Sequence, residues 1–210
     1  MDIAVDLVES YLRLNGYLTL SEFEIQKRDG DGGWDTVTDV DMVAVRLPGP
    51  VYAADAHTKS DTRFLLIDDP ALRLEEECVD VIIGEVKQGE AVFNPGLTSH
   101  AALHTVLNRF AWLYPDGVES VVHDLQDEGI SFVPHATGGP RGGAVRTRLV
   151  AFGRSPVVDV HTISLSHIFE TLTDHLNDYE DIVRSAQFKS PAAALLHLLS
   201  KTGFKIEKRN

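Results

Sequence analysis

A carboxylate and an ammonium group end an otherwise apolar strand in the segment VDVIIGEVKQG, residues 79–89. Alternate residues of a strand share one face. That face carries, in order, Val79, Val81, Ile83, Glu85 and Lys87. Burying charged groups without partners is costly. We therefore expect Glu85 and Lys87 to compensate each other at the edge of the core, where a bound cation can compensate the carboxylate further.

The preceding strand shows the reverse order. In TDVDMVAV, residues 38–45, the carboxylates of Asp39 and Asp41 come before the apolar residues of the same face. If strands 36–47 and 79–88 pair antiparallel, the start of one lies beside the end of the other. The pattern predicts that pairing, with Asp41 next to Glu85 and Lys87.

Two carboxylates that converge in this way form a hard oxygen site suited to Mg²⁺ or Mn²⁺. Lys87 beside them could orient a water molecule or stabilise negative charge that develops on a phosphate. These groups are typical of metal-assisted hydrolysis. The crowding of Asp41 and Glu85 should also raise the pKa of at least one carboxyl group, opposed by Lys87.

This arrangement resembles the PD-(D/E)XK, or restriction-endonuclease-like, nuclease superfamily, in which an acid begins one core strand and Glu-x-Lys ends the next. Asp41 in DVDMVAV, and Glu85 and Lys87 in GEVKQG, match that pattern. Many members carry a glutamate in the preceding helix, and Glu9 in DLVESYLRLNGY matches that place. The resemblance covers residues 1–113. It implies phosphodiester cleavage dependent on Mg²⁺ or Mn²⁺, with Asp41, Glu85 and Glu9 holding the metal and Lys87 supporting the attacking water.

Hydrophobic periodicity predicts the elements that must position these residues. Helices are expected at 3–14, 94–113, 117–126, 166–183 and 190–203, and strands at 17–28, 36–47, 79–88, 130–136, 145–153 and 157–165. The fold class expected is α/β, with a restriction-endonuclease-like mixed sheet flanked by helices. The 210 residues form one domain, with core motifs in 1–113, an insertion at 48–78 and a helical C-terminal part at 164–210.

The net charge of −13 argues against tight binding of nucleic acid by this chain alone, because phosphate binding depends on lysine and arginine. We therefore expect a protein partner or a second copy of the chain. Bases without acids between residues 138 and 156 suggest a positive face, with Arg141, Arg146 and Arg148 contacting nucleic acid. The alternative is a set of solvated surface arginines.

Several classes of protein are disfavoured by the sequence. The single cysteine, Cys78, excludes an intrachain disulfide and a cysteine zinc cluster. No apolar run is long enough for a membrane helix, and the acidic N-terminus is unlike an export signal, so a cytoplasmic protein without membrane contact is expected. His100 and His104 have the four-residue spacing of helical metal-binding pairs. Without a glutamate beside the first histidine, they are interpreted as ordinary surface or core histidines.

Two functions remain open. The first is an endonuclease that acts on DNA or RNA, with a place in bacterial restriction or phage defence by family analogy only. The second is a catalytically inactive subunit of the same fold that serves as a protein-interaction module. The acidic charge, the insertion and the helical C-terminal part suit the second function.

Overall fold

The computed structural model describes residues 2–49, 53–54, 62–63, 68–75, 77–135, 143–155, 161–178 and 190–204. The strands are β1 (Leu18–Arg28), β2 (Trp34–Arg46), β3 (Ala53–Ala54), β4 (Thr62–Arg63), β5 (Cys78–Val86), β6 (Ile130–His135), β7 (Gly143–Gly153) and β8 (Thr162–Ser164). The helices are α1 (Ile3–Leu14), α2 (His100–Asn108), α3 (Glu119–Asp127), α4 (Leu165–Asp178) and α5 (Pro191–Lys201), with short 3₁₀ turns at Pro70–Leu72 and Ala111–Leu113.

Six strands form one mixed sheet in the order β1-β2-β5-β7-β6, and β8 also pairs with β7. β2 lies between β1 and β5 and is antiparallel to both. β7 runs parallel to β5 and β8 and antiparallel to β6. The expected antiparallel pairing of the second and third long strands is therefore confirmed, and the mixed α/β class is confirmed with it.

Helices cover both faces of the sheet. On one face, α1, α4 and α5 pack against a cluster that includes Met42, Ile82 and Phe152. On the other face, α2 and α3 pack against Val43 and Ile83. The central strand β5 is buried along its whole length, as expected for a strand covered on both faces. Glu85, near the end of β5, is thus attached to a strand that is buried throughout.

Side-chain caps fix the ends of the helices on the α1 face. Asp2 caps α1 by accepting a hydrogen bond from the backbone N–H of Ala4 at 2.8 Å. Asp6, inside α1, accepts from the backbone N–H of Ala192 at 2.6 Å and from Ser190 Oγ at 3.0 Å. A carboxylate at a helix N-terminus is stabilised by the helix dipole. Asp6 therefore holds the start of α5 against α1.

The element boundaries differ from the sequence expectations in several places. The first helix after β5 is α2, which begins at His100 rather than near residue 94, and a turn separates it from the 3₁₀ turn at Ala111–Leu113. The expected strand at 157–165 is β8 over three residues, and its residues 157–160 lie outside the described part of the chain. The C-terminal ends of the expected strand 130–136 and of the expected helix 166–183 also lie outside the described residues, as does much of the insertion at 48–78. Within the described ranges, no helix has the length and apolar character needed to cross a membrane.

Candidate active site

The pairing of β2 with β5 brings Asp41 beside Glu85. The register pairs Met42 with Gly84 and Val43 with Ile83, so the next pair along the ladder would be Asp41 and Glu85. Oδ2 of Asp41 accepts a hydrogen bond from the backbone N–H of Val86 at 2.8 Å. The Asp41 carboxylate is therefore anchored to the end of β5, directly after Glu85.

Gly84, the residue before Glu85, is covered closely by two side chains. A Cβ at this position would lie 3.0 Å from Cε2 of Phe152 and 3.2 Å from Cβ of Met42. Both neighbours belong to the buried cluster on the α1 face. The absence of a side chain at Gly84 thus allows Phe152 and Met42 to pack over the strand immediately before the candidate site.

Glu85 is the buried acid of the site. The residue is only 2% exposed, and its Oε1 forms an ion pair with Nζ of Lys87. Its Oε2 is buried and has no hydrogen-bond partner among the described residues. A buried oxygen of this kind is costly unless something else binds it. Oε2 is consequently the atom of the site that most clearly requires a ligand.

Burial raises the pKa of the Glu85 carboxyl group above its usual range. The hydrogen bond from Lys87 opposes this rise and the negative charge of Asp41 adds to it. The nearby backbone N–H of Asn94 also opposes it, although its distance and angle do not make a hydrogen bond to Oε2. A raised carboxylate pKa opposed by Lys87 was expected from the sequence, and this direction is confirmed. Burial, rather than the charge of Asp41, is the leading cause.

The backbone of Lys87 is held in the sheet, while its side chain is partly accessible to solvent. Its backbone N–H donates to the carbonyl of Phe152 at 2.8 Å, which extends the β5–β7 ladder past the end of β5. Its side chain is 39% exposed while its Nζ reaches the buried Glu85. The ammonium group therefore stands between the buried carboxylate and solvent.

Glu9 lies on α1 and is turned toward β1. Its Oε1 accepts from Nη2 of Arg13 at 2.6 Å and from Oγ1 of Thr19 at 2.8 Å. Its Oε2 accepts from Oγ of Ser21 at 3.4 Å. Ser21 pairs with Met42, which pairs with Gly84, so Ser21 is two strands, about 10 Å, from Gly84. The structure thus brings Asp41, Glu85 and Lys87 together. It places Glu9, expected as a third metal ligand, on α1 over the opposite face of the sheet, with other partners.

The donor set fits a magnesium or manganese ion that is shared with a substrate. Mg²⁺ is commonly held by one or two carboxylates, and waters and substrate phosphates supply its other ligands. Asp41 and the unpartnered Oε2 of Glu85 provide two such oxygens. As the side chains lie, the described residues contain no group of three or more histidine, cysteine, aspartate or glutamate residues arranged to hold a metal ion. An ion here would therefore complete its coordination with water or phosphate oxygens.

The arginines expected to form a positive face are instead buried, which corrects that expectation. Arg146 and Arg148 are 3% and 2% exposed. Nε of Arg146 donates to Oδ1 of Asp80 at 2.8 Å, and Nη2 of Arg148 donates to Oδ2 at 2.7 Å. Their guanidinium groups neutralise an internal carboxylate and do not form an exposed surface. Arg141, the third residue of the expected face, lies outside the described residues.

The buried cluster around Asp80 is a structural feature that the sequence interpretation missed. Burial alone would raise the pKa of Asp80, but Arg148 and Arg146 hold it below its usual range. Tyr17 also donates its O–H to Oδ2 of Asp80. The sequence does contain a pattern that indicates this cluster. Arg146 and Arg148 alternate on one face of an apolar strand, and Asp80 directly precedes the apolar run of β5.

His161 completes the buried cluster in a neutral form. Burial, followed by the charge of Arg148, lowers its pKa to about 4. Its Nδ1 contacts Nη1 of Arg148 at 2.9 Å, and its Nε2 contacts the carbonyl of Ala71 at 3.1 Å. Because an arginine can only donate and a carbonyl can only accept, the ring proton must be on Nε2. The cluster is therefore an internal ion-pair network that joins β5, β7 and the segment before β5.

Comparison of the chain with protein-family models, with curated proteins and with solved structures found no match in any of the three. The geometry of the site and the mixed sheet that carries it are therefore the basis for a functional interpretation.

Proposed function

We propose that this protein is a divalent-metal-dependent nuclease of the restriction-endonuclease-like class that hydrolyses phosphodiester bonds, with DNA as its first substrate to test. The observation that carries the proposal is the meeting of Asp41 and Glu85 at one edge of the sheet. There, Oε2 of Glu85 is buried without a partner among the residues that the structure describes, and Lys87 lies beside it. The order of α1, three antiparallel strands and a helix supports the same class.

Each residue has a role that follows from its surroundings. Asp41 and Glu85 would hold Mg²⁺ or Mn²⁺, and the ion would polarise a phosphoryl oxygen of the substrate. The carboxylate of Asp41 is oriented by the N–H of Val86. Lys87 is close enough to solvent to orient a water molecule and to stabilise negative charge on the phosphate. Glu9 has no direct part in this proposal, because its oxygens accept hydrogen bonds from Arg13, Thr19 and Ser21 and α1 covers the face of the sheet opposite to the one that Glu85 shares with Ile83.

The nucleic acid must approach a protein that carries a formal net charge of −13. The cation and Lys87 would supply local positive charge at the site, but the buried arginines add none at the surface. Binding of DNA by the chain alone should therefore be weak. A protein partner or a second copy of the chain remains part of this proposal as the means of holding the substrate, and a cytoplasmic restriction or defence complex is the setting proposed by analogy.

The test is cleavage of supercoiled plasmid and of linear DNA by purified protein with Mg²⁺, Mn²⁺ or EDTA. Wild type should cleave with either cation, and Asp41→Ala should fall by two orders of magnitude or more, roughly the effect of removing one key electrostatic group from an active site. Asp39→Ala is a matched control, because Asp39 is exposed on the same strand two residues away. Equal background cleavage by wild type and Asp41→Ala would refute the enzyme assignment. A parallel assay with single-stranded RNA distinguishes the type of nucleic acid.

A second candidate, the non-catalytic interaction subunit, is favoured by one observation. The third acid of the motif, Glu9, is paired with Arg13, and Glu85 is paired with Lys87, so two of the three acids already have cationic partners. Calorimetric titration with Mn²⁺ separates the two candidates. No heat of binding, together with a stable oligomer in light scattering, would favour the interaction subunit.

A further inference from the structure

Three histidines and one glutamate meet on the surface between α2 and α3. His100 and His104 are four residues apart on α2, and Glu119 and His123 are four residues apart on α3. Residues at this spacing lie on the same face of a helix. The two helices pack side by side, so each presents a pair of potential metal ligands to the other. These four residues are called the histidine tetrad below.

Glu119 is the centre of the histidine tetrad. Its Oε1 lies 2.7 Å from Nε2 of His100 and 4.0 Å from Nε2 of His123. Its Oε2 lies 4.0 Å from Nε2 of His104. Nε2 of each of the three imidazoles thus lies within 4.0 Å of one carboxylate, and Nε2 of His104 lies nearer still to Nδ2 of Asn108, at 3.4 Å. The hydrogen bond with His100 and the charges of the histidines lower the pKa of Glu119, which keeps it ionised.

The spacing of the rings is close to that of a metal site. Two imidazoles bound to one tetrahedral zinc ion through bonds of about 2 Å have centroids roughly 5 Å apart. The ring centroids of His100 and His104 are 5.8 Å apart, and those of His100 and His123 are 6.3 Å apart. Each of these two ring pairs would have to close by about one ångström to share an ion.

As they lie, these four described side chains do not form a group that could hold a metal ion, so they must rotate to complete such a site. Two of the nitrogens are still 4.0 Å from the carboxylate, and Asn108 donates to Nδ1 of His104 at 2.9 Å. Binding through Nε2 places the ring proton on Nδ1, so the Asn108 amide would have to turn and accept. The side chains of the histidine tetrad are 44–66% exposed. Their surface position leaves room for these rotations without disturbing the core.

We propose that the histidine tetrad is a surface binding site for a transition-metal ion, with Zn²⁺ as the expected ion. Three imidazoles and one carboxylate form a donor set that suits tetrahedral zinc. The same set is poorly suited to Mg²⁺, which prefers oxygen ligands. The site lies on the helices of one face of the sheet and shares no residue with Asp41, Glu85 or Lys87. It is therefore independent of the proposed nuclease activity.

The test is calorimetric titration of the full chain with Zn²⁺ at pH 7.5 and at pH 5.5. Wild type should bind one equivalent with micromolar or tighter affinity at pH 7.5. Binding should weaken at pH 5.5, because the ligating imidazoles must be neutral. His104→Ala and His123→Ala should each lower the affinity by about tenfold or more. Neither side chain is buried, so the variants should fold as wild type does, which circular dichroism checks.

Two control variants test whether Zn²⁺ binds at the histidine tetrad and not elsewhere on the protein. Thr105→Ala changes an exposed residue of α2 next to His104 and should leave Zn²⁺ binding unchanged. Asp41→Asn removes a ligand of the candidate active site and should also leave it unchanged. The proposal is overturned if wild type shows no saturable Zn²⁺ binding, if His104→Ala and His123→Ala bind as wild type does, or if Asp41→Asn abolishes binding. Loss of nuclease activity alone has no bearing on this result.

Discussion

At the scale of the residue, Glu85 has two opposing properties. It is almost wholly buried, yet among the described residues a cationic partner is present for only one of its carboxylate oxygens. A protein that needed only stability would place an apolar residue at the end of β5. The cost of keeping an acid there is consistent with a functional role, because stability and activity are often in conflict at such positions.

The raised pKa of Glu85 predicts how stability depends on pH. Since the folded-state pKa lies above the unfolded value, the folded protein binds more protons between the two values, and the free energy of unfolding falls as pH rises through that window. Glu85→Gln cannot ionise and should avoid this loss. We expect the variant to gain stability relative to wild type at pH 7, and to gain less at pH 4, in urea unfolding without metal.

The control for this prediction is Glu24→Gln, which makes the same change at an exposed position of β1. It should show no comparable difference between the two pH values. If Glu85→Gln were less stable than wild type at pH 7, the ion pair with Lys87 would outweigh the burial of the carboxylate. The assignment of Oε2 as an oxygen that requires a ligand would then be incorrect.

At the scale of the element, the site depends on the close packing of β5 against its neighbours at Gly84. Gly84→Ala places a methyl group 3.0 Å from the ring of Phe152 and 3.2 Å from Met42. Overpacking of this kind costs typically about 1–3 kcal/mol. We expect that loss in urea unfolding, together with weaker Mn²⁺ binding because Glu85 is the next residue. Gly89→Ala, where a Cβ meets nothing within 4 Å, should be near neutral. Similar effects of both substitutions would contradict the packing argument.

The strands that carry the site were predictable from local pattern. In β2 the acidic residues precede the apolar ones, and in β5 the acid of the matching face follows them. Only antiparallel pairing therefore brings the two charged strand ends together. The position of Glu9 was less predictable. Helical periodicity places it on the inner side of α1, but its partners Thr19 and Ser21 depend on how α1 lies across β1. That angle is set by tertiary packing, which sequence periodicity does not contain.

The buried arginines show a different limit. Arg146 and Arg148 were interpreted as surface groups because charged side chains are rarely fully buried unless paired. Their partner Asp80 is more than sixty positions away in the sequence, and the contact requires β5 and β7 to be parallel neighbours. The register that pairs Asp80 with Arg146 is a long-range property of the sheet. Removing either side of such a pair should be costly, because the remaining charge would be buried alone.

At the scale of the whole molecule, the negative charge and the candidate active site have to be considered together. The chain carries a formal net charge of −13, and Asp41 adds to the charge beside the buried Glu85. A divalent cation that binds only the folded state would stabilise the entire protein by mass action, by about 2.7 kcal/mol at one hundred times its dissociation constant. The stability of the molecule is thus a direct readout of metal binding at the site, and it does not require the substrate to be known.

Thermal melting of wild type, Asp41→Asn and the control Asp39→Asn, each with EDTA and with millimolar Mn²⁺, tests the central claim most directly. Wild type and Asp39→Asn should melt at higher temperature with Mn²⁺. Asp41→Asn should be as stable as wild type or slightly more so in EDTA, because it relieves repulsion with Glu85 and its amide oxygen can still accept from Val86. It should lose the gain with Mn²⁺. The absence of a Mn²⁺-dependent shift in wild type, or a full shift in Asp41→Asn, would contradict a metal site at Asp41 and Glu85.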